Sequence, residues 1–497
     1  MSRAAGVAAV PRGASRLGIF AALSRAIAIL PLLAALALAS PGTSAEVLPP
    51  PIASALARAN IPQTAVALFV QDVEAAKPAL AFNTAQPMNP ASTMKLVTTF
   101  AALELLGPAF TWRTEAYLAA PLQGDVLDGD LVLKGYGDPR LTIENFWLLV
   151  RALRARGVRE IRGDLVLDRS YFESSSHDPS RFDNEPMRPY NVGADALLVN
   201  YKAVRFQFVP DAAQKTVTVV AEPRIADLEI ANTVRAADGG CGDWRGGLRY
   251  EIQPNGDGTR VSFTGAMPAS CGERYWNMAL FTHPQYVHGV FRQLWEEMGG
   301  TLRGRVRDGA VPPGARPFAV YESPSAAEIV RDMNKFSNNV MARQVFLTLS
   351  AETMKLPGRY DRSSRAVQSW LQGRGLEFPE LVIENGSGLS RNERISAANL
   401  GRLLIAAYRS SVMPEFIASM PLVAYDGTLR RRLKFESVAG QAHIKTGSLN
   451  DVRSIAGYVL DRSGRRVAVV FIVNHANAGA GQGAQDAVLK WVYEGGR

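Results

Sequence analysis

The rhythm of apolar and polar residues changes along this chain. In "AVALFVQDVEAAKPALAFNTAQPMNPAST" (65–93) β-branched and aromatic residues cluster on either side of "EAAKP". That pattern predicts two strands joined by a turn and leading into a helix near Ser92. From Leu96 to Leu106 the only charge is Glu104, and apolar residues face every direction. This is the pattern of a helix buried at the centre of a domain. Near the other end, "GQAHIKTGSLNDVRSIAGYVLDRSGRRVAVVFIVNH" (440–475) predicts three consecutive antiparallel strands, with "DRSGR" as the hairpin turn between the second and third. A glycine-rich stretch, "AGAGQG", reads as a flexible connector to a closing helix, "AQDAVLKWVYEG". Strands from both ends of the chain are expected to share one sheet.

The segment from about 111 to 284 has a different texture. Short strand patterns such as "LDGDLVLKG", "IRGDLVLDRSYF", "AVRFQFVP" and "KTVTVVAEP" alternate with Gly, Asp and Pro turns, which predicts an inserted β-rich region. The paired GDLVL phrases at 129–133 and 163–167 are too brief to define a repeat. Helical patterning returns with "YVHGVFRQLWEEMG" and "PSAAEIVRDMNKFSNNVMARQVFLTLS". The expected organisation is an α+β domain built from residues 46–110 and 285–497 and split by the insert at 111–284.

Composition adds a destination. The chain has 497 residues, 47% of them hydrophobic and 20% charged, enough for a large core divided among more than one domain. Residues 1–45 read as a secretory signal: Arg3, Arg12, Arg16 and Arg25, then "AIAILPLLAALALA", then Thr43-Ser44-Ala45 as a small-residue cleavage site. The apolar run is interrupted by Pro31 and falls short of the roughly 20 residues of a membrane span. A soluble exported protein is therefore expected, with no stable membrane span after cleavage. Loss of the leader's four arginines takes the formal charge from +9 to +5, a mild balance that suits an anionic wall polymer. The basic cluster "LRRRLK" (429–434) lacks aromatic interleaving and reads as a solvated face, so no nucleic-acid partner is expected. Cys241 and Cys271 are the only cysteines, and in an oxidising location they are expected to form one disulfide. The five histidines show no metal-ligand spacing, so neither a metal nor a cofactor is expected.

The candidate chemistry begins in "PMNPASTMKLVTTFAALELLG" (87–107), where Ser92 and Lys95 lie one helical turn apart at the head of the apolar run. Burial pulls a lysine's pKa towards neutrality, so Lys95 becomes a base able to activate the Ser92 hydroxyl. The alternative is a serine cap with a lysine snorkelling to solvent. Two further phrases decide between them. "NKFSNNVMARQVF" places Ser337 and Asn339 two apart at a helix junction, and "HIKTGSL" places Lys445, Thr446 and Gly447 on a strand of the expected main sheet.

SxxK, SxN and KTG in that order resemble the signature of active-site serine penicillin-binding proteins and serine β-lactamases. The resemblance implies an antiparallel sheet with helices, the transpeptidase-like fold of that superfamily. It also implies roles. Ser92 attacks a carbonyl while Lys95 takes its proton, and Ser337, between the two lysines, relays a proton to the departing amine. Asn339 bonds the substrate's backbone amide, Lys445 and Thr446 meet a terminal carboxylate, Gly447 permits close approach, and the N–H groups of Ser92 and Ser448 form the oxyanion hole.

More narrowly, the chain is similar to class C low-molecular-mass penicillin-binding proteins, the D-alanyl-D-alanine carboxypeptidase/endopeptidase family. Ser92 and Ser337 are 245 residues apart, room for that family's large insert. "GYGDPRLT", "GDLVLDRSYF", "ENGSGLSRNERIS" and "YDGTLRRR" resemble its further phrases. Asn385, Tyr425 and Arg343 depart from it, standing where Asp, Gly and Glu are usual. The likeness implies a periplasmic enzyme that cleaves peptidoglycan stem peptides and cross-links and binds β-lactams. Asp168 is the candidate for the free amine of diaminopimelate, its alternative being a turn aspartate satisfied by neighbouring N–H groups. Asp138 reads as a turn residue. A β-lactamase and a non-catalytic wall-binding protein on the same fold are the competing functions.

Overall fold

The computed structural model describes residues 47–173, 177–256 and 258–496. The leader expected over 1–45 lies outside the described residues, and among those described no helix is long and apolar enough to cross a membrane. The two ends of the chain do share a sheet. Its five strands run Leu80–Phe82, Val66–Asp72, Arg466–Asn474, Val452–Leu460 and Ala442–Leu449 in space, every neighbour antiparallel. The Ala442–Leu449 strand is an edge.

Alternation within these strands separates two apolar layers. Leu68, Val70, Phe471 and Val473 pack on one face with Ile52, Leu56, Val488 and Val492 of the helices Pro50–Arg58 and Gln482–Tyr493. Ala67, Phe69, Val470 and Ile472 pack on the other with the helix Lys95–Leu105. That helix is enclosed on all sides, as its unbroken apolar pattern predicts. Phe100 meets Trp370 edge-on at 5.1 Å between ring centroids. Glu104 accepts from Trp370 Nε1 at 3.0 Å and Ser410 Oγ at 2.7 Å and pairs with Arg374, which accounts for the one charge in the run.

The insert is larger than the residue pattern indicates. Strands Val306–Asp308 and Ala319–Glu322 flank Leu165–Asp168, Leu131–Gly135 and Arg113–Leu118 in a second five-stranded sheet. The helix His283–Glu297 buries Tyr286, Phe291 and Trp295 in the same core as Phe206 and Phe263. The β-rich region therefore runs to Glu322 rather than ending at 284, because its last strands pair with partners far back in sequence. The two GDLVL phrases lie side by side as parallel strands, Leu131 opposite Leu165 and Lys134 opposite Asp168. "AGAGQG" differs from the expected connector. Ala476–Gly481 is a 3₁₀ turn in which His475 Nδ1 accepts from Asn477 N, and Ala478 and Gly481 are buried.

Cys241 and Cys271 are joined by the expected disulfide across 30 residues of chain. In the chain-entropy account a loop of that length is worth between about 3 and 4 kcal/mol. The double substitution Cys241→Ser/Cys271→Ser is expected to lower unfolding stability in urea by that order while leaving the far-ultraviolet circular dichroism of the folded protein unchanged.

Candidate active site

Four local devices bring the motif residues together. The first is a 3₁₀ turn, Ala91–Met94, entered through Ala91 at φ 47° and running directly into the Lys95 helix. It lifts Ser92 to the surface of a cleft while Lys95, one turn on, points into the core with no exposure. The second is the junction between helices Ala326–Lys335 and Asn339–Met354. Asn338 caps the second helix by accepting from Val340 N and Met341 N, and Ser337 is held at φ 55°, a left-handed conformation that few non-glycine residues adopt. The third is the edge strand carrying Lys445, Thr446, Gly447 and Ser448.

The fourth device is the loop 385–393, to which the sequence reading gave no role in the site. Asn385 Oδ1 accepts from Ser387 N and Oγ, and Gly388, at φ 79°, packs so closely on Ala91 that an added Cβ would fall 1.9 Å from its carbonyl oxygen. The loop thereby presents the Ser387 carbonyl to Lys95 at 2.5 Å. Buried Glu393 anchors it from below, accepting from Glu384 N and Asn385 N.

Lys95 Nζ has three neighbours: Asn339 Oδ1 at 2.6 Å, Ser387 O at 2.5 Å and Ser92 Oγ at 3.0 Å. The first two can only accept. A neutral amine has two N–H donors and one lone pair, so donating to both leaves the lone pair directed at the Ser92 hydroxyl, the one neighbour that can give a proton. Electrostatics favour that state. Burial holds Lys95 well below the usual lysine range of 10.5, the Lys445 and Arg343 charges push it further down, and Glu393 alone opposes them. Glu393 is itself pushed up to about 7 by burial. Arg343, one of the departures from the family phrase, is a buried cation whose Nη1 donates to Tyr190 O and Val192 O.

Lys445 is also fully buried, and burial lowers it to about 7. Its Nζ bonds Ser337 Oγ at 2.8 Å and Thr446 O at 2.7 Å. Ser337 was expected between the two lysines. Its hydroxyl is bonded to Lys445, and the group that touches Lys95 from that junction is Asn339. Thr446 Oγ1 lies 3.0 Å from Thr428 Oγ1. The cleft has a volume of about 610 Å³ and is lined by Ser92, Ser337, Asn339, Thr446, Gly447 and Ser448. It is also lined by Phe182, Asp183, Leu389, Arg391 and Arg432, which sequence reasoning did not select. The signal for Arg391 and Leu389 was present in "GSGLSR"; Phe182 and Asp183 sit in a loop with no periodic signature.

Asp168 is placed elsewhere. It is buried at the end of its strand, accepting from Ser170 N and Oγ, Val311 N and Lys134 Nζ. It does not line the cleft. The geometry corresponds to the turn aspartate satisfied by its neighbours, and the carboxylate that does line the cleft is Asp183.

A sequence model described as the D-Ala-D-Ala carboxypeptidase 3 (S13) family matches residues 49–494. A D-alanyl-D-alanine carboxypeptidase from an Actinomadura species is 30% identical over 418 residues, 80% of this chain and 76% of that protein. The D-alanyl-D-alanine carboxypeptidase DacB of Haemophilus influenzae is 24% identical over 400 residues, 80% of this chain and 83% of its own. In three dimensions the chain is similar to the crystal structure of penicillin binding protein 4 from Haemophilus influenzae, with a TM-score of 0.75 at 22% identity, covering 89% of this chain and 99% of that one.

Gly447 gives a direct test of the geometry. A Cβ there would lie 2.2 Å from Ser454 Oγ, 2.7 Å from Pro90 O and 3.0 Å from Ser92 N, so any side chain pushes the edge strand off the serine turn. Gly447→Ala is expected to cut labelling of the protein by fluorescent penicillin by on the order of a hundredfold, with circular dichroism unchanged.

Proposed function

This chain belongs to the D-Ala-D-Ala carboxypeptidase 3 (S13) family and is a DD-carboxypeptidase, and from that premise we propose that it works through an acyl-enzyme on Ser92. The observation that carries the reading is Lys95 Nζ, buried without exposure and 3.0 Å from Ser92 Oγ. In this mechanism Ser92 Oγ attacks the carbonyl of the penultimate D-alanine as Lys95 takes its proton. The N–H groups of Ser92 and Ser448 receive the developing oxyanion. Ser337 Oγ gives its proton to the leaving amine as the C–N bond breaks and takes one from Lys445 Nζ, to which it is bonded. Water then attacks the ester, its proton passing through Ser337 to Lys445, while Lys95 returns the proton it holds to Ser92 Oγ and the acyl group leaves as a carboxylic acid. Thr446, with Lys445 behind it, meets the carboxylate of the departing D-alanine, and Asn339 holds the substrate's amide. Gly447 lets the substrate lie along the edge strand as an added strand.

The substrates are peptidoglycan stem peptides, and we extend the reading to the D-alanyl to diaminopimelate cross-link, making the enzyme an endopeptidase as well. β-Lactams acylate the same serine. An exocytoplasmic site of action is supported by the leader pattern and by the Cys241–Cys271 disulfide, which belongs in an oxidising compartment. With Asp168 occupied internally, the carboxylates that line these spaces are Asp183, in the cleft, and Asp178 and Glu384, in the adjoining cavity, of which Glu384 is tied to Ser390 and Asn392; Asp183 and Asp178 are the candidates for a free amine on the substrate.

Intact-mass measurement with benzylpenicillin is expected to show one persistent adduct on the wild-type protein and none on Ser92→Ala. An adduct on Ser92→Ala, or none on either protein, counts against the mechanism. For the amine contact, Asp178→Asn or Asp183→Asn is expected to lower kcat/KM for a stem peptide with a free side-chain amine by about tenfold relative to its acetylated twin. Asp168→Asn is expected to leave that ratio unchanged.

A further inference from the structure

A cavity of about 960 Å³ lies mostly in the insert, and none of the SxxK, SxN and KTG residues lines it. Its wall includes Arg169, Glu173, Asp195, Lys202 and Asp308 among charged residues. Most of these charges are already matched. Arg169 pairs with Asp195 and with Asp308, and Glu173 pairs with Arg359 and Arg362. Lys202 is the exception. Among the described residues no carboxylate lies within ion-pair distance of its Nζ, and no hydrogen bond reaches that atom. Burial lowers its pKa, and Asp195, which lies on the same wall beyond ion-pair distance and is paired with Arg169, opposes this from a distance without contacting it.

The backbone holding Lys202 is unusual. Asn200, Tyr201 and Lys202 are consecutive left-handed residues at φ 46°, 55° and 53°. L-residues visit this region singly, and a run of them persists only where the surroundings enforce it. Asn200 N donates to Leu141 O, Asn200 Nδ2 donates to the Tyr286 hydroxyl, and Lys202 N donates to Val199 O. A strained turn fixed from three sides, ending in an unmatched cation on a cavity wall, points to a ligand.

The position of the cavity indicates which ligand. It shares His177 and Pro179 with a second cavity of about 520 Å³, which in turn shares Phe182, Leu389 and Arg391 with the Ser92 cleft. The cleft is also lined by Thr446, where the leaving D-alanine carboxylate is assigned and which lies 3.0 Å from Thr428, and neither of these threonines lines the two further cavities. The acyl side of a bound peptide therefore runs from Ser92 past Phe182 and Arg391 towards Lys202. Stem peptides carry further carboxylates on that side of the scissile bond.

We propose that this cavity is a distal subsite for an acidic residue of the same stem peptide whose D-alanyl end lies at Ser92, with Lys202 as the cation that reads its carboxylate. The proposal rests on the peptidase reading and adds to it a requirement about substrate length and charge. Lys202 acts here as a specificity-determining residue and takes no part in the chemistry.

The test compares cleavage of L-Ala-γ-D-Glu-L-Lys-D-Ala-D-Ala with its twin in which the glutamyl α-carboxylate is amidated, using the full chain. The wild-type enzyme is expected to favour the acidic peptide at least fivefold in kcat/KM. Lys202→Met is expected to erase that preference while cleaving the amidated twin at the wild-type rate, and Lys202→Arg to keep most of it. Thermal melts and unchanged β-lactam acylation establish that the variants are folded. No preference in the wild-type enzyme, or an equal loss on both peptides in Lys202→Met, overturns the proposal. Stimulation of the amidated twin by a separately added acidic peptide lacking D-Ala-D-Ala would place the carboxylate on a second strand and overturn the same-chain assignment. Failure of the wild-type protein to cleave either peptide would instead count against the peptidase reading itself.

Discussion

A lysine side chain buried without a contacting carboxylate is the constraint around which this protein is arranged. Lys95 cannot keep its charge cheaply in the core, and its surroundings are arranged to favour its loss. Two fixed acceptors, Asn339 Oδ1 and Ser387 O, use both N–H groups of the neutral amine. Lys445 and Arg343 add positive potential nearby, and the one acid within electrostatic reach, Glu393, is itself pushed towards its neutral form. The lone pair is left for Ser92. These groups come from four separate stretches of the chain, 92–95, 339–343, 387–393 and 445, so the site exists only when those stretches are folded together.

That requirement explains the closeness of the backbone around the serine. The Gly388 loop presses on Ala91 from one side, and Gly447 of the edge strand approaches Ser454, Pro90 and Ser92 from the other. Neither position has room for a Cβ. The serine turn is thus clamped between a loop that supplies the lysine's acceptor and a strand able to receive substrate. Ala91 and Ser337, both left-handed non-glycine residues, sit at the two places where the chain must turn sharply to present a hydroxyl. Backbone strain of this kind concentrates where function fixes a geometry.

Much of this was legible in the residues. The strands at the two ends of the chain, the DRSGR hairpin, the enclosed helix after Lys95 and the disulfide follow from local pattern and composition, and the SxxK, SxN and KTG phrases mark which residues face one another across the cleft. What was not legible depends on pairing between distant segments. The insert's continuation to Glu322 is set by strands that pair with partners more than a hundred residues earlier. Asp168 looked available for a ligand because nothing in "GDLVLDRSYF" reveals that the parallel register sets it opposite Lys134. Glu393 and the Ser387 carbonyl lay inside a phrase already noted, but their part in holding Lys95 comes from tertiary contact alone. Lys202 had no signal, since a left-handed turn of Asn, Tyr and Lys has no sequence pattern that announces it.

The central claim is the ionisation state of Lys95, and it can be measured directly. NMR of protein carrying side-chain-labelled lysine, compared with the Lys95→Arg variant, isolates the Lys95 signal. The account predicts a resonance that titrates well below 10.5 and is absent from the variant. A Lys95 signal that remains that of a charged ammonium up to about pH 10, the range of an ordinary lysine, would contradict it, because a protonated Lys95 has no lone pair with which to take the Ser92 proton.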